Sequence, residues 1–155
     1  MDHAGLTPAA MELRHARSDE LGACADLYVR VLCETFTWLP PERHKREDFL
    51  RAARDEEIYV AVEGRTILGI AGFYRPQNFL HSLYVEARGH GVGKALLDHI
   101  AATTRGPLSL KVQAPNLRAQ AFYRREGFLC TEHGRDPGSD IAWLRLVRPG
   151  TPSKS

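Results

Sequence analysis

At 155 residues, with 43% hydrophobic and 26% charged side chains, the chain has the size and composition of one globular domain with a sizeable core. A net charge of +2 with no Lys/Arg block argues against a nucleic-acid partner, and no apolar run approaches the length that would indicate a membrane. Cys24, Cys33 and Cys130 form no C-x-x-C pair and the seven histidines show no ligand spacing, so no metal is expected.

Residues 1–10 carry neither a basic nor an apolar leader segment and read as a flexible extension, with a cytoplasmic location as the default expectation. A weak alternation over 11–16 predicts a first strand. Ser18 is placed as an N-cap, with Asp19 and Glu20 in the first helical turn. Leu21, Cys24, Leu27, Tyr28, Val31 and Leu32 follow at helical spacing, and this helix should fade near Thr35. Pro40 and Pro41 stop it and start a second, charged helix over 42–55, with Phe49, Leu50 and Ala53 as its buried face. Residues 58–62 and 66–74 read as strands joined by a turn at Gly64, and 79–85 as the next strand after a turn over 75–78. A helix should then run to about Arg105 and end at Gly106 and Pro107. Residues 108–113 form a fifth strand. Asn116 is a plausible N-cap for a helix with Ala119, Phe122 and Tyr123 on one face. Strands over 128–131 and 141–147 complete the domain at 11–147, and 148–155 reads as a flexible tail. Cys24 and Cys130 are expected to be small core residues.

The order β-α-α-β-β-β-α-β-α-β-β predicts an α/β (α+β mixed sheet) fold of six to seven strands with helices on both faces. Its chemistry should lie between residues 83 and 97. There a strand pattern crosses Gly89, Gly91 and Gly93 and becomes a helix pattern of Val92, Ala95, Leu96, His99 and Ile100. Glycines that allow close backbone approach, followed by the free amides and dipole of a helix N-terminus, make an anion site. Arg88, His90 and Lys94 add local positive charge. A plain glycine-rich turn capping a core helix is the alternative reading of this stretch. The Walker A pattern fails twice, because Arg88 stands where its first glycine belongs and Ala95 follows Lys94. The dinucleotide pattern also fails, since Leu96 occupies its last glycine position.

What fits is R-x-x-G-x-G from Arg88 to Gly93, which resembles the coenzyme A pyrophosphate loop of the GNAT-type N-acetyltransferase superfamily. A second stretch agrees. Asn116, Ala119, Phe122, Tyr123, Gly127 and Phe128 match that family's N-x-x-A-x-x-F-Y-x-x-x-G-F pattern at every fixed position. One departure is visible: only Glu86 and Ala87 separate Val85 from Arg88, so the segment before the loop is shorter than is usual in the family.

The resemblance implies acetyl-CoA (coenzyme A) as co-substrate and direct attack of an amine on the thioester in a ternary complex. It implies that the fourth and fifth strands part, with the pantetheine arm on the backbone of Leu83, Tyr84 and Val85. Arg88, Gly89, His90, Gly91, Val92, Gly93 and Lys94 would form the pyrophosphate loop, and Asn116 would contact the cofactor or simply cap its helix. Tyr123 would be the general acid; a core aromatic beside Phe122 is the alternative. The base is open between His81 on the fourth strand, one alternation from Leu83, Glu34 near the end of the first helix, and a water chain. Phe36 and Trp38 fall where the family places its acceptor wall, with Tyr74 and Asn78 on the opposite side. The partner implied is a small-molecule or peptide amine, and a homodimer is possible. A non-catalytic coenzyme A-binding sensor is the main rival.

Overall fold

The structure, a computed structural model, describes residues 11–86 and 89–150. Seven strands form one sheet in the order β1-β2-β3-β4-β5-β7-β6. The strands are β1 Glu12–His15, β2 Glu57–Glu63, β3 Thr66–Tyr74, β4 Phe79–Val85, β5 Leu108–Gln113, β6 Leu129–Arg135 and β7 Ala142–Arg148. The helices are α1 Leu21–Thr35, α2 Arg46–Ala52, α3 Val92–Ala101 and α4 Leu117–Arg125. The first four strands are an antiparallel meander, and β4 and β5 are parallel.

Period-two alternation divides the core into two layers. On β2, Ile58, Val60 and Val62 point to the side covered by Cys24, Leu27 and Val31 of α1 and Phe49 of α2. Tyr59 and Ala61 point the other way, where Leu96, Leu97 and Ile100 of α3 and Tyr123 of α4 pack. Helices therefore cover both faces, as the element order required.

Five local expectations are corrected. Ser18 does not cap α1. It lies in a 3-10 turn, Ser18–Glu20, and the Glu20 carboxylate accepts the Arg17 amide at 2.8 Å and both terminal nitrogens of Arg14 at 2.8 Å. The second helix is not continuous: a 3-10 turn at Pro41–Arg43 is followed by an extended His44 and Lys45. The His44 ring is buried edge-on to Phe36 at 5.9 Å, and this pulls the chain off the helical path. Helix α3 stops at Ala101, short of Arg105, because Arg75 takes the Thr103 carbonyl at 3.1 Å while the Thr103 hydroxyl donates back to Ile100 at 2.7 Å. Cys24 is buried and its thiol is pushed up to about 11 by that burial, but Cys130 is exposed on the edge strand β6. Strand β7 extends to Arg148, one residue into the segment read as tail. No helix among the described residues is long and apolar enough to cross a membrane.

Arg75 closes a network at the start of β2. Its guanidinium donates to Glu57 at 2.6 and 2.8 Å and to the Tyr59 hydroxyl at 3.0 Å, and the Tyr59 hydroxyl donates to Glu57 at 2.9 Å. The Arg75 bond holds the Glu57 carboxyl at about 2, below the ordinary 4.5. A carboxylate depressed in the fold contributes stability above its unfolded pKa and loses it as pH falls through the folded value. Glu57→Gln should therefore cost about 1–2 kcal/mol at neutral pH, a value reduced for the partial exposure of the pair. Chemical denaturation at pH 7 and between pH 4.5 and 2 checks this: the variant should show a flatter loss of stability across the acid window.

Candidate active site

The site begins where β4 and β5 part. They share a single register pair, Phe79 with Ser109, and the Ser109 amide donates to the Asn78 carbonyl at 3.0 Å. Beyond that point the facing edges of both strands lack each other as partners, and two adjoining cavities lie along the gap. One is a groove of about 650 Å³ lined by Leu83, Val85, Gly91, Lys94, Phe122 and Glu126 among others. The other is a chamber of about 520 Å³ lined by His81, Ser82, Lys111, Gln113, Asp136 and Trp143 among others. Phe36, Leu83, Tyr84, Asn116, Ala119 and Tyr123 line both.

The groove ends at the glycine turn. Gly89 and Gly91 have φ of 83° and 75°, a region that L side chains enter at a cost of roughly 1–2 kcal/mol. A Cβ on either would meet nothing within 4 Å, so the backbone here faces open space. Gly91 is the N-cap of α3, whose first amides have no acceptor within the helix. Lys94 is held by Glu126 and Asp98, each at 3.1 Å, and these carboxylates raise its pKa. His90 is exposed. Arg88 lies outside the described residues. Arg118 and Arg125, one face of α4 apart by two turns, also line the groove and were not singled out from the sequence.

Tyr123 stands on the border of groove and chamber, edge-on to Phe122 at 5.1 Å and to Phe128 at 5.3 Å. Burial raises its phenol well above the ordinary value, so the hydroxyl keeps its proton at neutral pH. Burial, with Tyr28, Tyr123 and Glu56 nearby, raises the Tyr84 phenol as well. Asn116 accepts the Ala119 amide at 3.1 Å and so caps α4 while its residue lines both cavities.

His81 is not on the face of Leu83 that simple alternation gave it. The pairing steps from Ser82 with Gly72 to Leu80 with Phe73, leaving His81 as the extra residue of a bulge. Its Nδ1 lies 2.6 Å from Oε2 of Glu56, on the side of the sheet that carries Ile58. Glu34 is exposed and lines neither cavity. Phe36 stacks on Trp38 at 5.0 Å, and the Trp38 indole donates to Gln113 at 2.6 Å, so Trp38 supports the chamber wall through Gln113. Tyr74 and Asn78 line neither cavity. Asn78, at φ 47°, instead ties the strands together at the start of the gap, its side chain accepting from Thr104 at 2.9 Å. The far wall was not foreseen. Lys111 lies over the Trp143 ring at 4.2 Å, and the Asp136 carboxylate accepts Gly138 N–H at 3.0 Å and the Ser139 hydroxyl at 2.9 Å.

A model of the Acetyltransferase (GNAT) family matches residues 24–128, which include the parted strands, the glycine turn and Tyr123. The chain belongs to this family. Among solved structures, the apo form of YjaB from Escherichia coli has a TM-score of 0.73 at 24% identity, covering 91% of this chain and 99% of that one. The Escherichia coli ribosomal-protein-S18-alanine N-acetyltransferase gives 0.73 at 16% identity, covering 94% and 97%. The yncA structure from Salmonella typhimurium with its cofactor acetyl-CoA gives 0.65 at 16%, covering 94% and 97%. At these identities the likeness speaks of the GNAT fold alone. A curated relative, the 5-NmdU N-acetyltransferase of Pseudomonas phage PaMx11, is 45% identical over an alignment of 69 residues, with 38% of this chain and 49% of that protein covered. The chain thus matches about half the length of that relative.

The residues present fit the coenzyme A that GNAT membership implies. Two positive-φ glycines with open space above them, at the start of a ten-residue helix, form a cradle that oxygen-rich groups can enter. Three single substitutions test this. Gly91→Ala should lower stability by only about 1–2 kcal/mol, since its Cβ meets no atom, yet weaken coenzyme A binding more than about 10-fold by calorimetry. Asn116→Ser keeps a capping oxygen and should leave Tm nearly unchanged, whereas Asn116→Ala should cost about 1 kcal/mol. Weaker coenzyme A binding in Asn116→Ser would then report a cofactor contact separate from the cap.

Proposed function

We propose that the chain is an acetyl-CoA-dependent N-acetyltransferase that acts on a primary amine of a small molecule or peptide by direct attack in a ternary complex. The observation that carries this reading is the seat of Tyr123 between a groove that ends at the glycine cradle and a chamber open to an acceptor. When bound, acetyl-CoA would supply the activated acetyl thioester.

The chain's own residues then have three tasks. The amides at the start of α3, with Arg118 and Arg125 beside them, bind the phosphates. The backbone of Leu83, Tyr84 and Val85 would hold the arm along the gap, and an amide there would donate to the thioester oxygen as charge builds on it. Tyr123 holds a proton at its hydroxyl for the leaving sulfur, and burial keeps that proton in place until it is needed. His81 removes the proton from the attacking amine: Glu56 occupies Nδ1, which leaves Nε2 as the accepting nitrogen.

Phe36, Phe79, Ile141 and Trp143 give the chamber an apolar, largely aromatic wall, and Asp136 adds a carboxylate. Such a wall suits an amine carried next to a planar or apolar body, drawn in as the ammonium form by Asp136. The name of the phage relative adds 5-NmdU to the acceptors worth testing.

Thiol release from acetyl-CoA over an amine panel that includes 5-NmdU tests the reading. Turnover on at least one amine is expected. Coenzyme A binding without turnover on any amine would instead favour a sensor. With a working acceptor, Tyr123→Phe should lower kcat on the order of 10²-fold while coenzyme A affinity stays within a few-fold. An unchanged kcat at every pH would remove Tyr123 from the acid role.

A further inference from the structure

We propose that Glu56 is a positioning residue for His81: its carboxylate, seated against Gly72, holds the imidazole at the β4 bulge and fixes which ring nitrogen faces the acceptor chamber. The inference rests on the reading of His81 as the base. Nothing in the residue pattern around Glu56 marks it, for it lies in the turn between α2 and β2.

The seat is built by three strands. Glu56 enters immediately before β2, and its side chain is only 12% exposed. Oε2 approaches His81 Nδ1 at 2.6 Å. Oε1 occupies the space over Gly72 on β3: a Cβ there would stand 2.6 Å from Oε1 and 2.7 Å from the Ser82 hydroxyl oxygen. A side chain at position 72 would thus press on the carboxylate, and glycine is what leaves it room. The bulge does the rest. Because His81 is unpaired with β3, its side chain is free of the strict alternation and can turn to Glu56.

A carboxylate this enclosed needs a partner, and the imidazole is the one provided. The groups around the pair are few. Phe79 flanks His81 on its own strand at 6.3 Å, Gly72 and Phe73 of β3 carry no charge, and Lys111 and Asp136 face the same chamber from β5 and the β6–β7 loop. Tyr84 on β4 is the phenol that senses Glu56. The hydrogen bond that His81 Nδ1–H donates to Glu56 raises the His81 pKa above the ordinary 6.5, and partial burial opposes it with less effect. The sign follows: the imidazole keeps its proton to higher pH, and the base form grows in through an inflection above the ordinary histidine value.

The pair can be read directly by NMR titration of the His81 imidazole, beside the pH profile of kcat/KM. In wild type the two should inflect together, above 6.5. Glu56→Gln should shift both downward and reduce the plateau rate by about 10- to 100-fold through lost orientation. Glu56→Asp, which keeps the charge, should retain the raised titration. Gly72→Ala, which touches neither partner's charge but crowds Oε1, should shift the titration in the same direction as Glu56→Gln; it keeps the test alive if Glu56→Gln does not fold. An unchanged His81 titration in Glu56→Gln overturns the inference whatever the activity. Full activity with an unaltered pH profile in His81→Gln removes His81 as the base, and the positioning role with it, even where the NMR shift shows the pair intact. Turnover in the wild type with either of these results leaves the acetyltransferase reading standing, so the two failures are told apart.

Discussion

The parting of β4 from β5 is the constraint on which the site depends. A central strand usually satisfies its backbone groups on both sides, and buried groups left without a partner are costly. Here the sheet holds at one end only, through Phe79 and Ser109 and through the Asn78 carbonyl. Asn78 reaches that bond by adopting a left-handed backbone, which asparagine tolerates better than most residues, and Thr104 pins its side chain. From there the edges diverge and their polar groups face a gap. A gap lined by ready donors and acceptors can be filled by water or by an extended ligand with amide groups of its own. The two cavities along it are a consequence of the strand geometry rather than of any one side chain.

The bulge at His81 is the second consequence of strand geometry. By adding one residue, it lets Leu80 and Leu83, three apart, both face the core under α3. An unbroken strand would place residues three apart on opposite faces. The same shift frees His81 from the register and turns it to Glu56. Core packing and the placement of the candidate base therefore come from one irregularity. Gly72 opposite the bulge supplies the room.

How much of this was legible in the sequence follows from the range of each interaction. The strands and the helices α1, α3 and α4 are local patterns, and they appear within a few residues of where periodicity puts them. The misjudged ends are those decided at a distance: α3 is cut short by Arg75, and the charged second helix is broken because His44 packs on Phe36. Tyr123, Asn116 and the glycine turn are carried by fixed spacings, so they could be named before any fold was seen. Arg118 and Arg125 lie in the variable positions of the same stretch; their seven-residue spacing on one helix face was the available signal. Glu56 and His81 meet across 25 positions only because of a bulge, and Gly72, one of two glycines inside the β3 pattern, was the one hint of a close approach there. The chamber's far wall, with Lys111, Asp136 and Trp143, is assembled from two strands and a loop and left no local trace.

At the glycine turn the backbone amides at the start of α3, rather than the Lys94 side chain, are the donors open to an anion. Lys94 is the first lysine or arginine after the cradle in sequence, yet it is held between Asp98 and Glu126. An anion arriving there must compete with two carboxylates for one ammonium, and the net gain from that side chain is small. The amides at the start of α3 face no such competition, because helix geometry gives them no acceptor within the helix. On the proposed reading, affinity for a diphosphate would depend on the shape of the turn, whose positive φ at 89 and 91 glycine holds without strain. On that reading the glycines, more than the Lys94 ammonium, shape this end of the groove.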